Sequence, residues 1–398
     1  MAFVARRLLF AALRNLKHAS VTFVDAGNTR TFGQASPDYP VRATITVHDP
    51  RFYAAAAFGG SIGAGESFMR GEWSCDDLTG VCRMVVKNRA VFNSIDGPWT
   101  AVVRAWRFLT LFLTRNTRSG SRRNIAAHYD LSNEFFSLWL DPTMMYSCAI
   151  YQDAGAPIPP ADLHRAQLVR LDRLRDRLAV TPDDHVLEIG TGWGGLATHF
   201  ARTTGCRVTT TTISKEQAAY ARALVAGESL APRVTILEQD YRDLRGEFDK
   251  LVSVEMIEAV GPEFLGTYFA SCAGLLKPGG LFMLQAIVIE DRFYTEGANW
   301  VDFIKKHIFP GSFIPSRAVL KEAAHHAGFD LVETHEIGPH YATTLAEWRR
   351  RFFAQLPRVK ALGFDDTFVR MWEFYLAYCE AGFAESHLGD VQMLLRRR

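Results

Sequence analysis

Apolar positions in the C-terminal two thirds of the chain follow two alternating periods. Short runs rich in Val, Ile, Leu and Thr at 185–190, 207–213, 233–240, 248–256, 281–289 and 329–338 read as strands. Between them, 163–178, 193–203, 215–227, 262–276 and 317–327 carry apolar residues at helical spacing, with Leu168, Leu171, Leu174 and Leu178 marking the first. Regular strand–helix alternation predicts a parallel sheet covered by helices. Lys277-Pro-Gly-Gly280 reads as a sharp turn into the fifth strand, and 290–317 interrupts the alternation. Two aromatic-rich helices are expected near 343–356 and 365–383, then a strand-like 390–395.

The first 120 residues have a different texture. Alternating runs at 20–24, 30–32 and 41–47 predict short strands, the glycine-rich 59–71 reads as turns, and a helical pattern begins after Asp77. The stretch 99–114 is apolar and aromatic, interleaved with Arg104 and Arg107. The polar 114–124, with Arg115, Arg118, Arg122 and Arg123, reads as a linker, either solvated or facing anionic lipid headgroups. The expected architecture is therefore α/β: a doubly wound Rossmann-like sheet over 121–398, with a smaller α+β accessory domain over 1–120.

Charge and cysteine content narrow the chemistry. A net charge of +2 gives no basis for nucleic-acid binding. Cys75, Cys82, Cys148, Cys206, Cys272 and Cys379 form no CxxC pair, so neither a metal site nor a disulfide framework is expected, and reduced thiols in the cytoplasm are the simplest reading. No window near 18 residues is free of charge, which argues against a membrane-spanning helix. The apolar stretch 8–13 is too short for a signal peptide. With Arg6, Arg7, Arg14, Lys17 and His18 and no acid in the first 18 residues, it reads as a basic helix that either packs on its domain or lies on a membrane surface.

Candidate chemistry begins at Val186-Leu-Glu-Ile-Gly-Thr-Gly-Trp-Gly-Gly195, which closes the first strand of the alternating region and opens a helix. Gly190 and Gly192 remove side chains where a ligand must approach the backbone, and ligands in such folds lie beyond the carboxyl ends of the strands. The GxGxG spacing with Glu188 before it resembles class I methyltransferases rather than dinucleotide-binding proteins. The second strand ends without an acid to hold ribose hydroxyls, leaving Thr212 and Gln217 as the polar groups. Ser214-Lys-Glu-Gln217 also fits a capping box. Asp240, after the third strand, falls either at an adenine edge or in a plain turn.

Together with His128-Tyr-Asp-Leu-Ser-Asn-Glu-Phe-Phe136, Asp141-Pro-Thr-Met-Met-Tyr-Ser-Cys-Ala149 and Ile308-Phe-Pro-Gly311, these residues resemble the cyclopropane-fatty-acyl-phospholipid synthase family, which includes the mycolic acid methyltransferases. The resemblance runs from about His128 to the C-terminus; the residues before 120 resemble, more weakly, the extra N-terminal domain of the bacterial phospholipid enzymes. It implies attack of a cis acyl double bond on the methyl of S-adenosylmethionine, then proton removal from the carbocation by a bound bicarbonate as a cyclopropane closes. It implies an unsaturated phospholipid as substrate at the inner face of the membrane, and admits a homodimer and a reductase as partners. The bicarbonate site would fall on the Cys148 backbone, Glu258, Gln285, the Ile287 backbone and Tyr341. Cofactor contacts would fall on Tyr129, Tyr146, Ser147, Glu188, Gly190, Gly192, Thr212, Ile213, Gln217, Asp240 and Tyr241.

Two positions depart from the family pattern. Ala259 and Gln285 stand where histidines are usual, so an anion could be held by Gln285 but no proton carried by it. A methylene- or methyl-branched product is thus the alternative to a ring. An aromatic lining is expected for a cation shielded from water, from among Phe135, Phe136, Trp139, Trp300, Phe303, Phe309, Phe352, Phe353, Trp372, Phe374 and Tyr375. Methylation of a soluble small molecule, and a cofactor-binding protein without activity, are the rival classes.

Overall fold

The computed structural model describes residues 2–93, 131–295 and 301–398. The 99–114 stretch, the 114–124 linker, the first three residues of the 128–136 motif with Tyr129, and Trp300 lie outside the described residues. The chain divides into two compact units. One holds Met1–Leu113, Trp300–Ile308 and Leu356–His387; the other holds Thr114–Asn299, Phe309–Gln355 and Leu388–Arg398. A single boundary near 120 thus does not describe the partition, because two later stretches join the N-terminal one.

In the first unit, β1 (Ser20–Asp25), β2 (Asn28–Gly33), β3 (Arg42–Val47) and β4 (Trp73–Cys75) form a sheet in the order β2-β1-β3-β4. Phe10, Phe23, Phe32, Phe52, Tyr53 and Trp73 are buried beside it. The expected turns at 59–71 are instead mostly helix, Arg51–Met69, broken where Gly60 has φ 58°. The glycines serve close approach: a Cβ at Gly65 would sit 2.4 Å from the Phe303 ring. Helix Leu78–Lys87, capped by Asp77, and helix Asp366–Ala384 belong to the same unit, joined by Thr79 Oγ1 donating to Glu380 at 3.1 Å and Arg83 Nε donating to Glu385 at 2.7 Å. At the N-terminal helix Ala2–Leu13, Arg6 pairs with Asp25 at 3.3 Å and lies over the Phe10 and Tyr53 rings, so this arginine packs on its own domain.

The second unit opens with a two-residue pair, β5 (Gln152–Asp153) with β6 (Ala156–Pro157). Its main sheet comprises β7 (His185–Ile189), β8 (Arg207–Thr211), β9 (Val234–Leu237), β10 (Phe248–Val254), β11 (Leu276–Ile289), β12 (Phe329–Glu336) and β13 (Leu388–Arg397). The order is β12-β13-β11-β10-β7-β8-β9, and β13 runs antiparallel to both neighbours. Alternate residues feed two cores. Leu187, Leu251, Phe282 and Leu284 pack with helices Leu265–Leu275 and Arg317–His326; Val186, Val252 and Met283 pack with helices Leu163–Arg177 and Gly195–Thr204. The period-two pattern therefore produces a sheet covered on both faces, the class I methyltransferase fold. The 277–280 turn survives as a break in the β10–β11 ladder, where pairing jumps from Phe248↔Leu276 to Lys250↔Leu281 and Gly279 takes φ 74°. The first of the two aromatic-rich helices begins at Gly338, earlier than its apolar pattern, because Pro339 is placed in the first turn, where a missing N–H costs nothing. No described helix is long and apolar enough to cross a membrane.

Candidate active site

Strand order reverses between β7 and β10, and the glycine turn leaves the sheet there. Gly190 has φ 107° and Gly192 φ 51°, while Gly190 and Thr191 both donate to the Thr211 carbonyl, at 3.1 and 3.0 Å. A Cβ on Gly192 would meet nothing within 4 Å, whereas one on Gly195 would strike the Thr143 carbonyl at 2.3 Å. Gly192 thus leaves the turn open to a ligand, and Gly195 lets the Thr143 carbonyl pack against it. Glu188 is buried under the turn rather than facing the cleft: its Oε2 lies 2.6 Å from Thr210 Oγ1, which lies 2.8 Å from Thr191 Oγ1. Burial pushes Glu188 up to about 8.

Glu188 links folding to pH. Its native value exceeds the ordinary 4.5, so the folded chain keeps a proton that the unfolded chain releases. That stability is complete below about pH 4.5 and is lost as pH rises toward about 8. Melting temperature is expected to fall between about pH 5 and about pH 8.5, and less steeply in Glu188→Gln. An identical slope in the variant, followed by calorimetry, would show that Glu188 is ionised in the fold.

The other assigned cofactor positions fall around this turn. Thr212 donates to Gln217 Oε1 at 2.9 Å and Ser214 Oγ accepts from Gln217 N at 3.3 Å, so the cap forms while the Gln217 side chain turns to Thr212. Ile213 follows as a half-buried residue. Asp240 accepts from Arg242 Nε at 2.7 Å and Nη2 at 2.6 Å, and caps the turn Tyr241–Asp243; its carboxylate is engaged as a turn acid. The Tyr241 ring packs on Tyr268. Tyr146 sits among Phe136, Trp139, Phe309 and Trp348 at centroid distances of 5.2 to 6.2 Å, and the Ser147 hydroxyl is buried without a partner. The open face at Gly192 and this unpaired hydroxyl fit S-adenosylmethionine in the cleft. Of the aromatics named for a lining, Phe135, Phe136, Trp139, Phe309, Phe352 and Phe353 belong to this unit; Phe303, Trp372, Phe374 and Tyr375 belong to the other.

At the carboxyl ends of β10 and β11 the structure brings together all five residues assigned to anion binding, around a residue not assigned. Glu255 Oε1 accepts from Cys148 N at 2.9 Å and Gln285 Nε2 at 2.8 Å; its Oε2 accepts from Tyr341 Oη at 2.6 Å. Ile287 N donates to Glu258 Oε1 at 2.6 Å, and Glu258 Oε2 is buried without a partner. Burial, then the nearby Glu255 charge, pushes Glu258 up to about 8. Asp390 completes the cluster, accepting from Gln285 Nε2 at 3.3 Å, and burial with the Glu255 charge holds it well above the usual carboxylate range. Gln392 Nε2 donates to Gln285 Oε1 at 3.0 Å, so the Gln285 amide is fixed at both ends. The Cys148 thiol is fully buried and raised by burial, donating to the Ala149 and Ile337 carbonyls; it is no nucleophile. Donors that would hold a bicarbonate are thus already turned on a carboxylate of the chain, and the residues present do not fit that ion.

Sequence reasoning passed over Glu255, Asp390, Gln392 and Arg170. The last is fully buried, with Nε and Nη2 donating to Gln167 Oε1. The signal available was the Glu-x-x-Glu pair just beyond a strand's carboxyl end. Among the described residues no group of three or more His, Cys, Asp or Glu could hold a metal ion.

Residues 116–393 match the family model of mycolic acid cyclopropane synthetase. The chain is 40% identical to tuberculostearic acid methyltransferase UfaA1 of Mycobacterium tuberculosis, over 100% of this chain and 91% of that one. It is 37% identical to the cyclopropane-fatty-acyl-phospholipid synthase of Escherichia coli K12, over 89% and 88%. Among solved structures, the cyclopropane synthase MmaA2 of Mycobacterium tuberculosis superposes with TM-score 0.63 at 28% identity, covering 69% of this chain and 98% of that one. The mycolic acid cyclopropane synthase CmaA1, crystallised with S-adenosylhomocysteine and CTAB, gives TM-score 0.64 at 28% identity over the same shares.

Proposed function

The chain belongs to the mycolic acid cyclopropane synthetase family, and from that premise we propose that it acts on the cis double bond of a phospholipid acyl chain, closing a cyclopropane. It is an S-adenosylmethionine-dependent methyltransferase, and the cofactor supplies an electrophilic methyl group on a sulfonium. The observation that carries the acyl-chain reading is the wall of Phe136, Trp139, Tyr146 and Trp348, which continues to Tyr341 and through it to the acid cluster. An alkene is a weak nucleophile, so the protein's contribution is to align it and keep water away. Aromatic faces beside the developing cation stabilise it by about 0.5–2 kcal/mol each. Tyr341 and Gln285 hold the acids in place, and no residue forms a covalent bond to substrate.

The membrane-facing part of the proposal draws on the N-terminal helix. Phe3, Val4 and Leu8 are exposed there, at 68%, 57% and 44%, with the Arg7 guanidinium over the Phe3 ring. Apolar side chains beside a cation suit an anionic lipid surface.

A second reading has its own support: the fixed, non-titrating Gln285, and the similarity over the whole chain to a protein named as a methyltransferase. The cation would then lose its proton without ring closure, leaving a methylene branch that a reductase could saturate. The test is mass spectrometry of lipids after incubation with oleoyl phospholipid vesicles and methyl-deuterated cofactor. A gain of one carbon with two deuteriums is expected. A ring survives mild hydrogenation and a methylene branch does not; label in soluble amines or phenols but in no lipid would end both readings.

A further inference from the structure

We infer that Glu255 is the resident proton acceptor of this enzyme, occupying the place that a bound bicarbonate would take; the inference rests on the acyl-chain reading above. Three groups of different origin converge on its carboxylate: the backbone N–H of Cys148, the Gln285 amide and the Tyr341 hydroxyl. All three donate. A carboxylate offers about four lone-pair sites, and the Asp390 carboxyl is a fourth group hydrogen-bonded to Glu255.

The backbone carries a second mark. Glu255 has φ 49°, the left-handed region that favours glycine, and its N–H donates to the Gln285 carbonyl at 2.8 Å. A non-glycine residue held there is strained, and such strain persists where the surroundings impose it. The position is also next to the cofactor turn: a Cβ on Gly190 would lie 3.2 Å from Met256 Cβ, the residue following Glu255. The two neighbouring acids, Glu258 and Asp390, stand raised by burial and by their closeness to Glu255. Arg170, fully buried with Nη1 unpaired, is the nearby cation.

The chemistry balances with this one group. The alkene π pair forms the new carbon–carbon bond as the carbon–sulfur bond breaks and a neutral thioether leaves. The Glu255 carboxylate then takes a proton from the transferred carbon. The electron pair of that C–H bond closes the ring or, after a hydride shift has moved the cation to the methyl-bearing carbon, becomes the double bond of a methylene branch. Cation and carboxylate are consumed together, and the carboxylic acid returns its proton to water between turnovers. A proton beside a carbocation is acidic enough for a weak base, so placement matters more than basicity.

Turnover of the full chain on oleoyl phospholipid vesicles, in buffer stripped of bicarbonate and again with bicarbonate or formate added, tests this. The wild-type rate is expected to be the same in both. Glu255→Gln should lose about 10²-fold or more, unrescued by either anion, with cofactor affinity unchanged by calorimetry. Glu255→Gly suits the left-handed backbone and frees the three donors, so its activity should depend on added anion. A wild-type rate that collapses without bicarbonate, or Glu255→Gln with turnover near wild type, overturns the assignment while leaving methyl transfer to lipid intact. A wild-type chain that labels no lipid under either condition removes the acyl-chain reading itself, and this assignment with it.

Discussion

Glu258→Ala is expected to lower kcat by about 10²–10³-fold while calorimetric affinity for S-adenosylmethionine stays within a few fold. The residue follows β10 on the turn Ile257–Ala259, anchored on both sides: its backbone carbonyl accepts from Phe313 N at 2.9 Å and its Oε1 from Ile287 N at 2.6 Å. The remaining oxygen is buried and unpaired, in a carboxyl pushed up to about 8. Near neutral pH it therefore carries a proton on a fixed, dry group, able to donate beside the carboxylate of Glu255. Alanine removes that donor and strands the Ile287 N–H. Glutamine keeps an acceptor for Ile287 and an N–H to donate, so Glu258→Gln should retain more activity. The pH profile separates donor from filler. Wild-type kcat should fall as pH passes about 8 and Glu258 ionises, and the glutamine variant should lack that limb. Alanine turnover within a few fold of wild type would remove Glu258 from the chemistry.

Gly192→Val is expected to weaken S-adenosylmethionine binding by about 100-fold or more, about 2.7 kcal/mol, with a small loss of stability. Nothing in the fold lies within 4 Å of the added Cβ. The cost to the free protein is the left-handed backbone at φ 51°, about 1–2 kcal/mol for a residue with a side chain, or a few degrees of melting temperature. The cost to binding is larger, because the branched side chain projects into the space left open for the cofactor. Gly192→Ala should fall between valine and wild type. Calorimetry showing wild-type affinity in the valine variant would move the cofactor away from this turn.

Much of the second unit was legible because each strand lies between helices and announces itself by period. The glycine stretch at 59–71 was not, since composition cannot tell a glycine that turns the chain from one, like Gly65, that lets a ring approach. The acid cluster was half legible. Glu258 was visible from its place after a strand, but its neighbour Glu255 gains its meaning only when Cys148, Gln285 and Tyr341, distant in sequence, are seen to point at it. Asp390 and Gln392 lie in a run whose alternation reads as buried strand, and nothing local marks a buried polar pair. Arg170 sits among leucines at helical spacing, where the charged positions are expected to face water.

The first compact unit is stitched from stretches hundreds of residues apart, with Thr79 bonded to Glu380 and Arg83 to Glu385. A ribosome must therefore deliver nearly the whole polypeptide before this unit can close. Until then the Leu78–Lys87 helix, with Leu78, Val81, Cys82 and Met84 on its buried face, lacks its native partner. Closure across so long an interval adds little to the equilibrium cost, since loop entropy grows only logarithmically. It slows the search instead, so the interval between synthesis and completion is when the chain is most open to aggregation and proteolysis.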